Sequence, residues 1–145
     1  ARDYIERYKA RYPEIDQYME ETVAYAKDNG DVRTLFGRRR PVAGLSSSNF
    51  NQRNSARRVA INTPVQGTAA DIIKIAMIKV AELIRTEFPE VTMLLQVHDE
   101  LVFELPKTSL AAFRPRVVEV MEGACSLSVP LKVSTGSGQN WDEAH

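Results

Sequence analysis

The chain is short of several things, and each absence closes off a class of protein. Its 145 residues include one cysteine, Cys125, so there is no disulfide framework and no cysteine-based zinc site. No apolar run approaches the length of a transmembrane helix, and the N-terminus has no signal-peptide pattern. A reducing, cytoplasmic setting without a membrane partner is the expectation. Net charge is absent too: 19 Lys and Arg balance 19 Asp and Glu, so the overall balance points to no partner. Repeats and low-complexity segments are missing. What remains is 43% hydrophobic and 26% charged, an ordinary globular composition. The length suits one domain with a real core, or a piece of something larger.

The charge is unevenly spread. Between Asp31 and Ala60 there are seven arginines (33, 38, 39, 40, 53, 57 and 58) and a single acid, Asp31, a local charge of +6. Solvated faces usually mix signs and use lysine, so this block reads as a surface for a polyanion, phosphate above all.

Arg2 to Arg11 reads as an amphipathic helix with Ile5, Tyr8 and Tyr12 on one side. Pro13 suits the first turn of a second helix, with Glu14 and Asp16 favourable near its N-terminus. Ile15, Met19, Thr22, Val23 and Ala26 give that helix an apolar stripe, and Asn29-Gly30 ends it in the manner of a left-handed cap. Val32 to Phe36 is predicted as a short strand, Pro41 to Asn51 as loop, and a helix cap at Ser48 or Asn51. The helix that follows spans roughly 52–87, with a bend expected at Asn62-Thr63-Pro64. Beyond the bend, Val65, Ala69, Ile72, Ile73, Ala76, Met77, Val80 and Ile84 form a stripe expected to be core.

Around that bend Arg58, Asn62 and Gln66 recur every four residues. On a helix each step drifts only about 40°, so the three share a face. Any one of them alone would be a solvated polar residue. Together, beside the arginine block, they read as a nucleic-acid contact strip.

The stretch Met93-Leu94-Leu95-Gln96-Val97-His98-Asp99-Glu100-Leu101-Val102-Phe103-Glu104 sets two apolar runs about His98, Asp99 and Glu100. This is the pattern of a β-hairpin buried in a core, with its acids at the tip. Asp and Glu are also simply good turn residues, but a His and two acids on a rigid tip suit a metal-dependent site. Leu110 to Glu122 is predicted helical and disturbed by Pro115, Pro130 to Thr135 a strand, and the tail through Trp141 irregular, with Trp141 packed.

Three motifs, Thr34-Leu-Phe-Gly-Arg-Arg-Arg40, Asn62-Thr-Pro-Val-Gln-Gly-Thr-Ala-Ala-Asp71 and Gln96-Val-His-Asp-Glu-Leu-Val-Phe-Glu104, resemble the C-terminal part of family A DNA polymerases of the bacterial type. The ending Gly138-Gln-Asn-Trp-Asp-Glu-Ala-His145 is similar as well, and the likeness runs in order over the chain. The resemblance implies an α+β fold, part of a polymerase fingers and palm, with helices packed on a small antiparallel sheet and a catalytic β-hairpin. It divides the chain into residues 1–50, the end of the fingers and a connecting loop, and residues 51–145, the C-terminal palm segment.

It also implies roles. Asp99 matches the family's metal-binding aspartate, Glu100 the accompanying acid, and His98 the residue beside the primer terminus. Arg58, Asn62 and Gln66 match residues contacting template and primer near the new base pair. Arg38, Arg39 and Arg40 fall where the family grips the nucleic-acid backbone, without saying which arginine does what. The implied cofactor is Mg2+, two ions in the intact enzyme. Primer-template DNA, deoxynucleoside triphosphates and the remainder of the polymerase chain are the implied partners. Nothing here resembles the family's other aspartate motif or its triphosphate-binding helix, both N-terminal to this stretch, so the isolated chain is expected to be inactive. Two other readings stay open: a stand-alone nucleic-acid-binding module without catalysis, and the related single-subunit RNA polymerase fold. The Gln96-Val97 lead-in and the Asn62 to Gln66 strip favour the DNA enzyme.

Overall fold

A computed structural model describes residues 2–144. The elements are α1 (Arg2–Arg11), α2 (Pro13–Asn29), β1 (Asp31–Arg33), β2 (Arg39–Pro41), α3 (Phe50–Glu87), β3 (Thr92–Val97), β4 (Glu100–Glu104), α4 (Lys107–Glu122) and α5 (Trp141–Ala144). Helices with two antiparallel hairpins make the α+β class. The side chain of Ile5, placed by sequence on the apolar side of α1, lies outside the described residues, as does His145. Two compact units divide the chain, Ala1–Ala69 and Ala70–His145, with α3 contributing to both.

In the first unit α2 starts at Pro13, whose missing N–H is no loss in a first turn. It ends at Gly30, which takes φ 72° and donates its N–H to the Ala26 carbonyl, a left-handed cap that glycine adopts without a Cβ clash. The next strand is shorter than 32–36 and lies one residue earlier. It pairs with β2 in the register Asp31↔Pro41, Val32↔Arg40 and Arg33↔Arg39, so two of the three run arginines are in a strand, as is Pro41, the residue expected to open a loop. Gly37 closes the turn at φ 81°. Val23, Ala26, Val32, Val42, Leu45, Ala56 and Ala60 form the core.

Neither Ser48 nor Asn51 caps α3. Asn49 does, its Oδ1 accepting from the backbone N–H groups of Asn51 at 2.9 Å and Gln52 at 3.2 Å. The helix continues through Pro64, although proline removes the N–H that would meet the Ala60 carbonyl. Two threonine hydroxyls flank this point: Thr63 donates to the Val59 carbonyl at 2.6 Å and Thr68 to the Pro64 carbonyl at 2.5 Å.

In the second unit Ile73, Ala76 and Val80 on α3 are buried as expected, but two members of the predicted stripe in the first unit are not: Val65 is 62% exposed and Ala69 is also exposed. Apolar spacing names a face, and here no described neighbour covers the end of it that runs past the proline. The core of this unit joins Val80, Leu83, Val91, Phe113 and Val117, with Phe88 and Phe103 packed against it. Phe113 stands edge-on to both Phe88 and Phe103, each centroid 5.3 Å away. Lys79 donates to the carbonyls of Gly123 at 2.9 Å and Ala124 at 3.0 Å just past the end of α4, where a cation is favourable.

β3 and β4 form the predicted hairpin, with a bulge: Met93 pairs with Phe103 and Leu95 with Val102, leaving Leu94 without a partner. The hairpin is less buried than predicted, since Leu94 is 51% and Leu95 44% exposed. Only one of its faces meets the described core, through Phe103. Residues 130–135 are not a strand; Pro130 lacks a donor, and the Val133 N–H is taken by Glu122 Oε1 at 3.1 Å. Trp141 is 49% exposed and begins the four-residue α5 instead of an irregular tail. No helix among the described residues is long and apolar enough to cross a membrane.

Candidate nucleic-acid interface and hairpin turn

The contact strip belongs to the first unit. Arg58, Asn62 and Gln66 are all exposed on α3, held outward because Ala56 before them and Ala60 and Thr63 between them are buried. Arg57, next in sequence to Arg58, turns away to pair with Glu20 at 2.5 Å, and the Arg57 guanidinium holds that carboxyl below its usual range.

The arginine turn docks on the same helix. Thr68 Oγ1 accepts from the Leu35 N–H at 3.0 Å, and Arg38 Nη2 donates to the Gly67 carbonyl at 2.9 Å. A glycine is required there: a Cβ on Gly67 would stand 2.7 Å from Thr34 Cγ2. Gln66 and the arginine turn are thereby neighbours, a meeting the sequence does not announce.

The three arginines differ. Arg39 donates from Nε to Asp31 Oδ2 at 2.7 Å and reaches the same oxygen with Nη2. Arg33 stands 3.6 Å from Asp31 Oδ1. Asp31 is 2% exposed, and the Arg39 hydrogen bond holds its carboxyl below the usual carboxylate range against the opposing effect of burial, with help from the charges of Arg39 and Arg33. Arg40 is exposed and rims a shallow depression of about 250 Å³ lined also by Gln52 and Ser55 of α3. Sequence reasoning passed over Asp31, Thr34, Gly67 and Thr68. For Asp31 a signal was present, since it is the one acid among seven arginines.

The second group, His98, Asp99 and Glu100, lies at the hairpin in the second unit, and all three side chains are exposed. Val97 pairs with Glu100, so His98 and Asp99 alone make a two-residue turn and Glu100 is the first residue of β4. His98 sits at φ 53°, a conformation that costs a non-glycine residue roughly 1–2 kcal/mol. The Gln96 side-chain amide donates to the His98 carbonyl, bracing that turn from the strand before it. Strain retained at an exposed tip directs attention to the tip. Carboxylate oxygens are the right donors for a hard divalent cation. The described residues hold no cluster of three or more His, Cys, Asp or Glu side chains that would surround one.

The family model described as DNA polymerase family A matches residues 1–143. DNA polymerase I of Streptococcus pneumoniae (strain TIGR4) is 48% identical over 144 residues, 99% of this chain. The DNA polymerase I of Geobacillus stearothermophilus is 49% identical over the same length. In both cases the chain spans 16% of the relative's own length. Among solved structures, the POL domain of Pol1 from M. smegmatis, in complex with DNA primer-template and dNTP, superposes with a TM-score of 0.92 at 43% identity, covering 97% of this chain and 25% of that one.

Proposed function

The chain belongs to DNA polymerase family A, and from that premise we propose that it is the C-terminal segment of a template-directed DNA polymerase, acting in the cytoplasm as part of a longer chain. Residues 1–50 end the fingers and residues 51–145 form the C-terminal palm. The observation that carries the reading is the two-residue turn with Asp99 at its tip, in a chain matched almost end to end by the family.

Each group has a task under this reading. Arg58, Asn62 and Gln66 donate to minor-groove acceptors of the primer-template near the new pair. Those acceptors sit at similar places in every base pair, so the strip can sense pair shape without reading sequence. Arginines of the first unit hold phosphates and fix register. His98 lies beside the primer end. Asp99, with Glu100 next to it, holds divalent metal, Mg2+, in a two-metal arrangement with ligands from elsewhere in the parent. The bound metal supplies Lewis-acid stabilisation of charge developing on the transferred phosphate of a deoxynucleoside triphosphate. Having only part of the shell, the isolated chain adds no nucleotides.

The test is primer extension with magnesium by three proteins: the isolated chain, the intact parent, and the parent carrying Asp99→Ala. The parent extends. The chain alone does not, and Asp99→Ala abolishes addition while duplex binding stays nearly intact, because affinity comes mostly from backbone contacts. A variant retaining more than about a tenth of the parental rate, a loss of only ~1.4 kcal/mol, contradicts the role of Asp99. Extension by the isolated chain contradicts the partial-site reading.

A further inference from the structure

We propose that Asp31 is an internal competitor for the arginine run, holding Arg39 out of contact with nucleic-acid phosphate and leaving Arg40 to make that contact from β2. The inference rests on the nucleic-acid reading of the first unit and divides its labour.

The register of the hairpin makes the division. Residues i and i+2 of a strand, and directly paired residues across it, share a face. Asp31, Arg33 and Arg39 therefore lie on one face, since Arg33 pairs with Arg39. Arg40 pairs with Val32 and takes the other. The carboxylate of Asp31, its side chain 3% exposed, is engaged by Arg39 and by Arg33. A buried carboxylate cannot leave this pair for solvent without losing its counter-charge. The Arg39 side chain is itself 63% exposed, so a phosphate reaching it competes with Asp31 for a charge already paired. Arg40 has no ion-pair partner among the described residues and rims the depression with Gln52 and Ser55. Ser55 precedes Asn62 by seven residues, two turns of helix, and so lies on the face of the Arg58–Asn62–Gln66 strip. Arg40 thereby extends the strip, while Arg39 is turned from it.

The experiment measures binding of the intact parent polymerase to a primer-template duplex by fluorescence anisotropy across a potassium chloride series. Each phosphate contact contributes about 0.9 to the slope of log affinity against log salt. Arg40→Ala lowers the slope by about that amount and Arg39→Ala by a small fraction of it. Asp31→Asn releases Arg39 and raises the slope by about 0.9, and adding Arg39→Ala to Asp31→Asn removes the gain. If Asp31→Asn does not fold, as circular dichroism would show, the comparison of Arg39→Ala with Arg40→Ala decides alone. A full loss of slope in Arg39→Ala overturns the proposal. If Arg39→Ala, Arg40→Ala and Arg58→Ala all leave the slope unmoved, the nucleic-acid reading of this unit fails instead.

Discussion

Replacing Phe113 by alanine tests what holds the hairpin in place. Phe113 is 2% exposed on α4 and touches Phe88 at the end of α3 and Phe103 in β4, both edge-on. It is the ring through which the strand carrying Glu100 joins the helices. Truncating a buried phenylalanine typically costs about 3–5 kcal/mol, partly for lost transfer and partly for the cavity. Two edge-to-face contacts, each worth ~0.5–1.5 kcal/mol beyond area, push the expectation to the upper end, about 4–5 kcal/mol. For a chain of this size each kcal/mol moves the melting temperature by roughly 3 °C, so a fall of about 12 °C is expected. Phe113→Leu keeps most of the volume and should cost less than half as much. Urea unfolding followed by circular dichroism gives both values. A loss below about 1 kcal/mol for the alanine variant would refute the packing argument, because no well-filled aromatic site collapses that completely.

Gln66→Ala or Arg58→Ala in the parent should slow extension of correct primers and change mismatch discrimination without sequence preference; a defect confined to one template base would count against minor-groove sensing. Gly67→Ala sets a helix-propensity gain of ~1 kcal/mol against a Cβ placed 2.7 Å from Thr34 Cγ2. Thr34 is buried and β-branched, with little freedom to rotate, so a net loss of stability is expected and a raised melting temperature would show the contact to be soft. On acidification, Asp31 and Glu87 have carboxyls held below their usual range, by the hydrogen bonds of Arg39 and Arg116 respectively. A depressed folded value gives stability that is present above the ordinary carboxylate range and lost as pH falls through the folded value. Melting temperature should thus drop below about pH 4, and Asp31→Asn should flatten that drop; an unchanged acid limb would sink the assignment.

Much of this was legible in the chain because local chemistry dictated it. Pro13 and Gly30 bound α2 as proline and glycine at those positions should, and the two apolar runs about His98-Asp99 give the hairpin. What the chain concealed needed partners distant in sequence. The pairing of β2 was hidden since Arg39-Arg40-Pro41 has no apolar alternation, and its strand character comes from β1. Asn49 lost the prediction to Ser48 and Asn51, as all three are good caps and spacing alone does not choose. Val65 looked like core because periodicity reports a face and not what covers it. The candidate site was readable residue by residue through its motifs, yet the difference between Arg39 and Arg40 was not. Identical side chains part company only when one register position faces Asp31 and the next does not.

The bulge at Leu94 has a consequence for how this hairpin tolerates change in length. Loss of one residue from a paired strand ordinarily sends every side chain beyond it to the opposite face. Here Leu94 is already surplus, with Met93 and Leu95 opposite the consecutive residues Phe103 and Val102. Deleting it would leave the remaining pairs and their faces as they stand, with Phe103 still toward Phe113 and Asp99 still at the turn. The strand leading to the acidic tip can therefore drift in length by a residue over evolutionary time while the chemistry at its end keeps its aim.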